Sequence, residues 1–316
     1  MSWIADRQPV LVKELRGRMR GGRAFVVLTL FLTVLSLFML LLYLAVRSDV
    51  GNDPFSAGQT IGKTLFIGVV TIALIQVMII VPAQAAAAIT SERERETFDL
   101  LVATLLPSWK IVLGKLFAAL AYAVLLIVAV VPLMGIAFFF GGVTASEVAI
   151  ALLGLLVTAI LYGAMGILWS VLAARTMGAT VLAQALNVGV LLGIPFAYYV
   201  FGALFLFSSP ETPAWVTSYP FIYIAGAFAS IHPFIALGAA EFFLSTGETR
   251  LFFPYSFGQE ELWIPAPWLA FAFAGLTIAT VVIAIAIRAL RPAAARRQES
   301  LGRRQAAPPN KAAKTT

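Results

Sequence analysis

The chain has no cysteine and a single histidine, His232. Without thiols there is neither a disulfide framework nor a thiolate metal site, and one imidazole cannot make a histidine cluster. Charge is scarce too. Asp, Glu, Lys and Arg make up 12% of 316 residues, about half the share of ordinary soluble domains. No Ser-His pair with an acid and no paired pocket carboxylates stand out, so no catalytic constellation is legible and none is expected. What fills the chain instead is apolar: 61% of residues are hydrophobic and the mean hydropathy is +0.94. A soluble protein of that composition would have too little polar surface to stay dispersed. The class that remains is an all-α integral membrane protein.

Six apolar stretches, at about 24–46, 65–89, 116–140, 148–174, 179–207 and 267–287, each reach the roughly 20 residues a helix needs to cross a bilayer. The few cations lie unevenly around them. Residues 1–23 hold six, 90–115 hold four, Arg175 stands alone between the fourth and fifth spans, and eight follow residue 287. Only Arg47, Lys63 and Arg250 fall in the other loops. Cytoplasmic loops attract Lys and Arg, so both termini are expected inside. The net charge of +7 then points to anionic lipid head groups, not to nucleic acid, since no basic patch is interleaved with aromatics.

Residues Trp215–Leu244 are apolar but broken by Pro220, Gly226, Pro233 and Gly238, and they carry His232 and Glu241. A full crossing there would put the basic C-terminus outside, so an outer re-entrant or interfacial segment is expected between the fifth and sixth spans. Residues 1–290 read as a single transmembrane domain and 291–316 as a cytoplasmic, disordered basic tail. The N-terminal apolar run is too long for a cleaved signal and lacks a small-residue cleavage site. Ala57-Gly58-Gln59-Thr60-Ile61-Gly62-Lys63-Thr64 nearly spells a phosphate-binding loop. No strand precedes it and a span follows, so nucleotide is not expected there, and no cofactor or metal is expected on this chain.

None of the six stretches contains Asp, Glu, Lys or Arg, which argues against a transporter driven by an ion gradient. The polar residues inside them are milder: Gln76, Gln84, Gln184 and Asn187. They either hydrogen-bond between helices or line a translocation path. Gly189 and Gly193 form a small-xxx-small pattern suited to close helix approach, within the chain or across a dimer. Pro82, Pro132 and Pro195 are expected to kink their helices.

Two segments outside the spans have regular faces. In Pro9–Arg23, Leu11, Val12, Leu15 and Met19 fall on one side of a helix while Lys13, Arg16, Arg18 and Arg20 do not, the pattern of a basic amphipathic helix lying in the interface. In Thr90–Lys115, Ser91 and Glu94 are spaced as a capping box that would start a short helix. Phe98, Leu101, Val102 and Leu105 would share its apolar face, after the charged run Glu92, Arg93, Glu94, Arg95 and Glu96.

The run from Ile89 to Leu101, ITSERERETFDLL, followed by Ile111-Val112-Leu113-Gly114-Lys115-Leu116, resembles the signature of type-two ABC transporter permeases. The opening Gln8-Pro9-Val10-Leu11-Val12-Lys13-Glu14, the Gly141-Gly142-Val143 turn and His232-Pro233-Phe234 are similar to motifs of the same family. Glu96, Leu105 and His232 depart from its usual Gly, Pro and Asn. The resemblance implies a cytoplasmic coupling helix around Ser91–Lys110 that contacts an ATPase subunit, with Glu92, Arg93, Glu94, Arg95, Thr97, Phe98 and Leu101 at the dock. It implies an interfacial helix carrying Leu11, Val12, Leu15, Arg16 and Met19, and a re-entrant outer segment. It further implies two copies of an ABC ATPase subunit that bind ATP and Mg, a second identical or homologous permease chain, and a prokaryotic plasma (inner) membrane. Export of a lipophilic, peptide or glycan-type substrate would follow. The rival readings are a secondary transporter or channel working without ATP, a non-transporting assembly factor and, last, an intramembrane enzyme.

Overall fold

The computed structural model describes residues 22–48, 54–98, 106–206, 213, 215–216, 218–247, 250–257 and 260–306. The interfacial-helix residues Leu11 to Met19 and the dock residue Leu101 lie outside them. Among the described residues, six helices are long and apolar enough to cross a bilayer, which makes this a multi-pass membrane protein. They belong to α1 (Gly22–Val46), α2 (Pro54–Glu94), α3 (Ser108–Phe140), α4 (Ala145–Leu172), α5 (Thr176–Phe201, ending in a π-helical turn at Gly202–Leu206) and α8 (Pro267–Ala306).

Between α5 and α8 stand two short helices, α6 (Tyr219–Ala229) and α7 (Pro233–Ser245), bent by 109° at Ser230–His232. Proline in the first turn of each explains why a new helix starts where the other stops. A two-stranded hairpin follows, β1 (Phe252–Phe257) against β2 (Glu260–Pro265), antiparallel with Phe252 opposite Pro265. The described elements are otherwise helical, consistent with the all-α expectation, and this hairpin is an addition to it. Its signal was present in the aromatic and branched residues on either side of Gly258-Gln259, a two-residue link of hairpin type.

The centre is α4, packed between α2 and α8, with α1, α3 and α5 around α2. Small residues on α4 set the approach to α2. A Cβ at Gly166 would lie 2.5 Å from the Pro82 carbonyl oxygen and 2.8 Å from the Ala85 Cβ. Gly189 and Gly193 behave differently, since a Cβ on either meets nothing within 4 Å, and both are exposed on α5. Any close approach there would be to something other than the described residues.

Two expected boundaries move. The 41-residue α2 is about 60 Å long at 1.5 Å per residue, twice the hydrocarbon thickness. The stretch that imitates a phosphate-binding loop is part of this helix. At the other end of the chain α8 continues to Ala306, past the expected end of the sixth span.

Candidate functional site: a charged node at one end of the bundle

The last turn of α2 carries Glu92, Arg93 and Glu94, and each reaches a different helix. Glu92 pairs with the Nζ of Lys115 on α3 at 2.9 Å, with Lys115 only 1% exposed. Arg93 donates from its guanidinium to the carbonyl of Ala173, the C-cap of α4, at 2.9 Å. Glu94 accepts from the backbone N–H of Thr176 at 2.7 Å and from its hydroxyl at 2.8 Å, at the start of α5. The signs follow the helix dipoles: a cation meets the C-terminal end of α4 and an anion the N-terminal end of α5. One turn higher, the Ser170 hydroxyl of α4 accepts the N–H groups of Ile89 (2.8 Å) and Thr90 (3.2 Å), inserting into the α2 ladder.

This arrangement corrects the expected start of a helix at Ser91. Ser91 and Glu94 close α2 and open nothing. The helix continues past Ile89 to Glu94 despite the Ser170 contact, and the Thr90 hydroxyl bonds back to the Ala86 carbonyl at 2.9 Å. The capping box lies elsewhere, at Thr144 and Glu147 before α4, where both reciprocal bonds form. It follows Gly141 and Gly142, whose φ angles of 93° and 74° turn the chain out of α3. The same S/T-x-x-E spacing therefore ends one helix and starts another, depending on what precedes it.

Phe98 also differs from its expected partner-facing position. It is buried beneath the node with Ile89, Ile111, Val112 and Leu290, and the Arg93 guanidinium lies 5.3 Å from its ring centroid. Arg95, Glu96 and Thr97 are exposed just beyond the node. Glu96 has a φ of 58°, a left-handed conformation costly for a residue with a Cβ, and it is the position where the resembled family carries glycine.

Three of the polar residues inside the spans, Gln76, Gln184 and Asn187, take backbone partners on neighbouring helices. Pro82 has no N–H, which leaves the Met78 carbonyl of α2 without a helical donor. Asn187 on α5 supplies one at 2.9 Å, and Gln184 reaches the adjacent Ile79 carbonyl at 2.7 Å. Gln76 donates to the Phe31 carbonyl of α1 at 3.3 Å. Gln84 is half-buried on α2, two residues beyond Pro82. The Gln76 Oε1, Asn187 Oδ1 and Tyr162 hydroxyl oxygens are buried without a hydrogen-bond partner.

The same rule places the lone histidine. Pro195 frees the Leu191 carbonyl of α5, and His232 Nε2 lies 3.1 Å from it. His232 Nδ1 accepts the Ile235 N–H as the N-cap of α7, so Nε2 carries the proton and donates. His232→Ala is expected to cost about 2 kcal/mol, from a lost cap and an orphaned carbonyl. His232→Asn, which keeps an acceptor for the cap, should lose about half as much. Thermal unfolding of the purified variants measures both.

At the opposite end of the bundle lies an ionic cluster that sequence reasoning missed. Lys63 of α2 pairs with Glu147 of α4 at 3.0 Å and also with Glu241 of α7. Glu147 is 3% exposed. The missed clue was Glu241 in an otherwise apolar segment, which in a membrane protein calls for a partner. Among the described residues no group of His, Cys, Asp and Glu is arranged to hold a metal ion. No protein-family model and no curated protein matches the chain.

Proposed function

We propose that this chain is the permease subunit of an ATP-driven exporter, with ATP and Mg held on a separate ABC ATPase subunit. The observation that carries this reading is the node. Three consecutive charges fasten the end of α2 to α3, α4 and α5, so a force on residues 95–107 is passed to four helices together. Arg95, Glu96 and Thr97 offer exposed polar contacts to a partner, while Glu92, Arg93 and Glu94 transmit. Two ATPase subunits would rock two such chains against each other, in the plasma membrane of a prokaryote with the node and both termini in the cytoplasm. The α6–α7 pair would then be the outer re-entrant segment. The exposed apolar flank of α5, with Gly189 and Gly193 on it, suits contact with the second permease chain.

A permease driven by an ion gradient fits less well, because Lys63, Glu92, Lys115 and Glu147 of the long helices are held in ion pairs. The test is co-expression with a candidate ABC ATPase subunit from the same genome. Arg95→Glu is expected to abolish recruitment of the ATPase. Glu94→Gln should leave recruitment intact but lower permease-dependent ATP hydrolysis about tenfold, the effect of roughly 1.4 kcal/mol of lost coupling. Recruitment and hydrolysis indifferent to both changes would refute the reading.

A further inference from the structure

The α6–α7 pair, the hairpin and the first turns of α8 enclose a cavity of about 620 Å³, within the range of ligand sites. Its walls include Ile222, Tyr223, Gly226, Phe252, Leu269 and Phe273. The hydroxyls on the wall are already engaged: Tyr223 donates to the Trp263 carbonyl at 2.9 Å and Ser230 to the Gly226 carbonyl at 2.8 Å. The Tyr223 bond also braces the hairpin against α6, and Ala266 N–H to the Leu251 carbonyl at 2.8 Å closes the open end of the hairpin. An occupant would meet an apolar lining that makes no demand for hydrogen bonds.

The opening says what that occupant is. Phe252 and Phe273 are exposed, and Phe273 continues along α8 into the exposed apolar residues Leu276, Val281 and Ile285. The cavity therefore opens sideways onto the flank of a membrane-spanning helix, where the surrounding medium is hydrocarbon. A partner helix about 10 Å across would fill this volume with about one and a half turns. A single flexible chain fits it better. We propose that the cavity is a binding site for one acyl chain of a bilayer phospholipid. The proposal needs no ATPase subunit, so it stands or falls apart from the permease reading.

The test uses the full chain in nanodiscs of phosphatidylethanolamine and phosphatidylglycerol, doped with phosphatidylethanolamine carrying a photoactivatable diazirine on one acyl chain. Peptide mass spectrometry then maps the label. Labelling is expected to concentrate at Phe252 and Phe273, above exposed positions such as Leu30 and Leu192. A Cβ on Gly226 meets nothing within 4 Å, so Gly226→Phe can fill the cavity without a backbone clash. It should cut labelling at Phe252 and Phe273 about tenfold, the effect of excluding about two methylenes, and leave Leu30 unchanged. Ala270→Phe fills it from the α8 side and should do the same. Labelling at the lining no greater than at Leu30, or unmoved by both variants, would overturn the proposal. So would labelling by a diazirine fatty acid but not by the phospholipid, or cross-links through Phe273 between two copies of the chain.

Discussion

Lys63→Met is expected to destabilise the folded chain by about 3 kcal/mol, the usual result of removing one member of a buried ion pair. Lys63 stands between Glu147 and Glu241, so methionine leaves two carboxylates facing each other without a cation. Glu147 keeps its bonds with Thr144 and cannot turn away. The effect should be partly reversed by adding Glu241→Gln, which removes the repulsion and returns the site to the parent's net charge of −1. Thermal unfolding of the single and double variants in detergent gives the comparison. A single variant as stable as the parent would show that the cluster does not hold α2, α4 and α7 together.

Gly166→Val is expected to cost about as much, near 3 kcal/mol, through overpacking. The first added carbon would meet the Pro82 carbonyl oxygen at 2.5 Å and its Cα at 3.0 Å. These are backbone atoms beside the carbonyls that Asn187 and Gln184 hold, so α2 and α4 must separate. Gly166→Ala should show part of the loss. Gly189→Ala is the contrast, because its Cβ has open space. It should leave the stability of the single chain within about 0.5 kcal/mol. If a second copy packs on α5, it should instead shift the dimer to monomer, read by mass photometry.

The spans were legible because apolar length is a property of composition, which no tertiary contact overrides. The limits of α2 and α8 were not, since a helix continues past the membrane wherever nothing breaks it. Proline supplied more than a kink. Each of Pro82 and Pro195 marks, four residues earlier, a carbonyl in need of a donor, and Asn187 and His232 are those donors. Pairing them required knowing that α5 lies beside both α2 and the α6–α7 bend, a matter of packing alone. The charged run at Glu92–Glu94 was visible as a cluster, while its direction was not. A capping-box spacing carries no information about whether a helix is beginning or ending. The ionic cluster at Lys63 joins residues far apart in sequence, only Glu147 of them in the first turn of its helix, and each looks like an ordinary flank until the helices are assembled.

The absence of cysteine makes the most direct test simple, because single introduced thiols need no background removed. Cysteine placed at Arg95, and separately at Arg47 on the opposite end of the bundle, would be treated with a short thiol-to-amine cross-linker after co-expression with the ABC ATPase subunit that the proposal calls for. A permease whose node passes force from an ATPase to four helices predicts efficient cross-linking at position 95, altered by ATP, and none at position 47. No cross-link at 95, or equal yield at both ends, would contradict it.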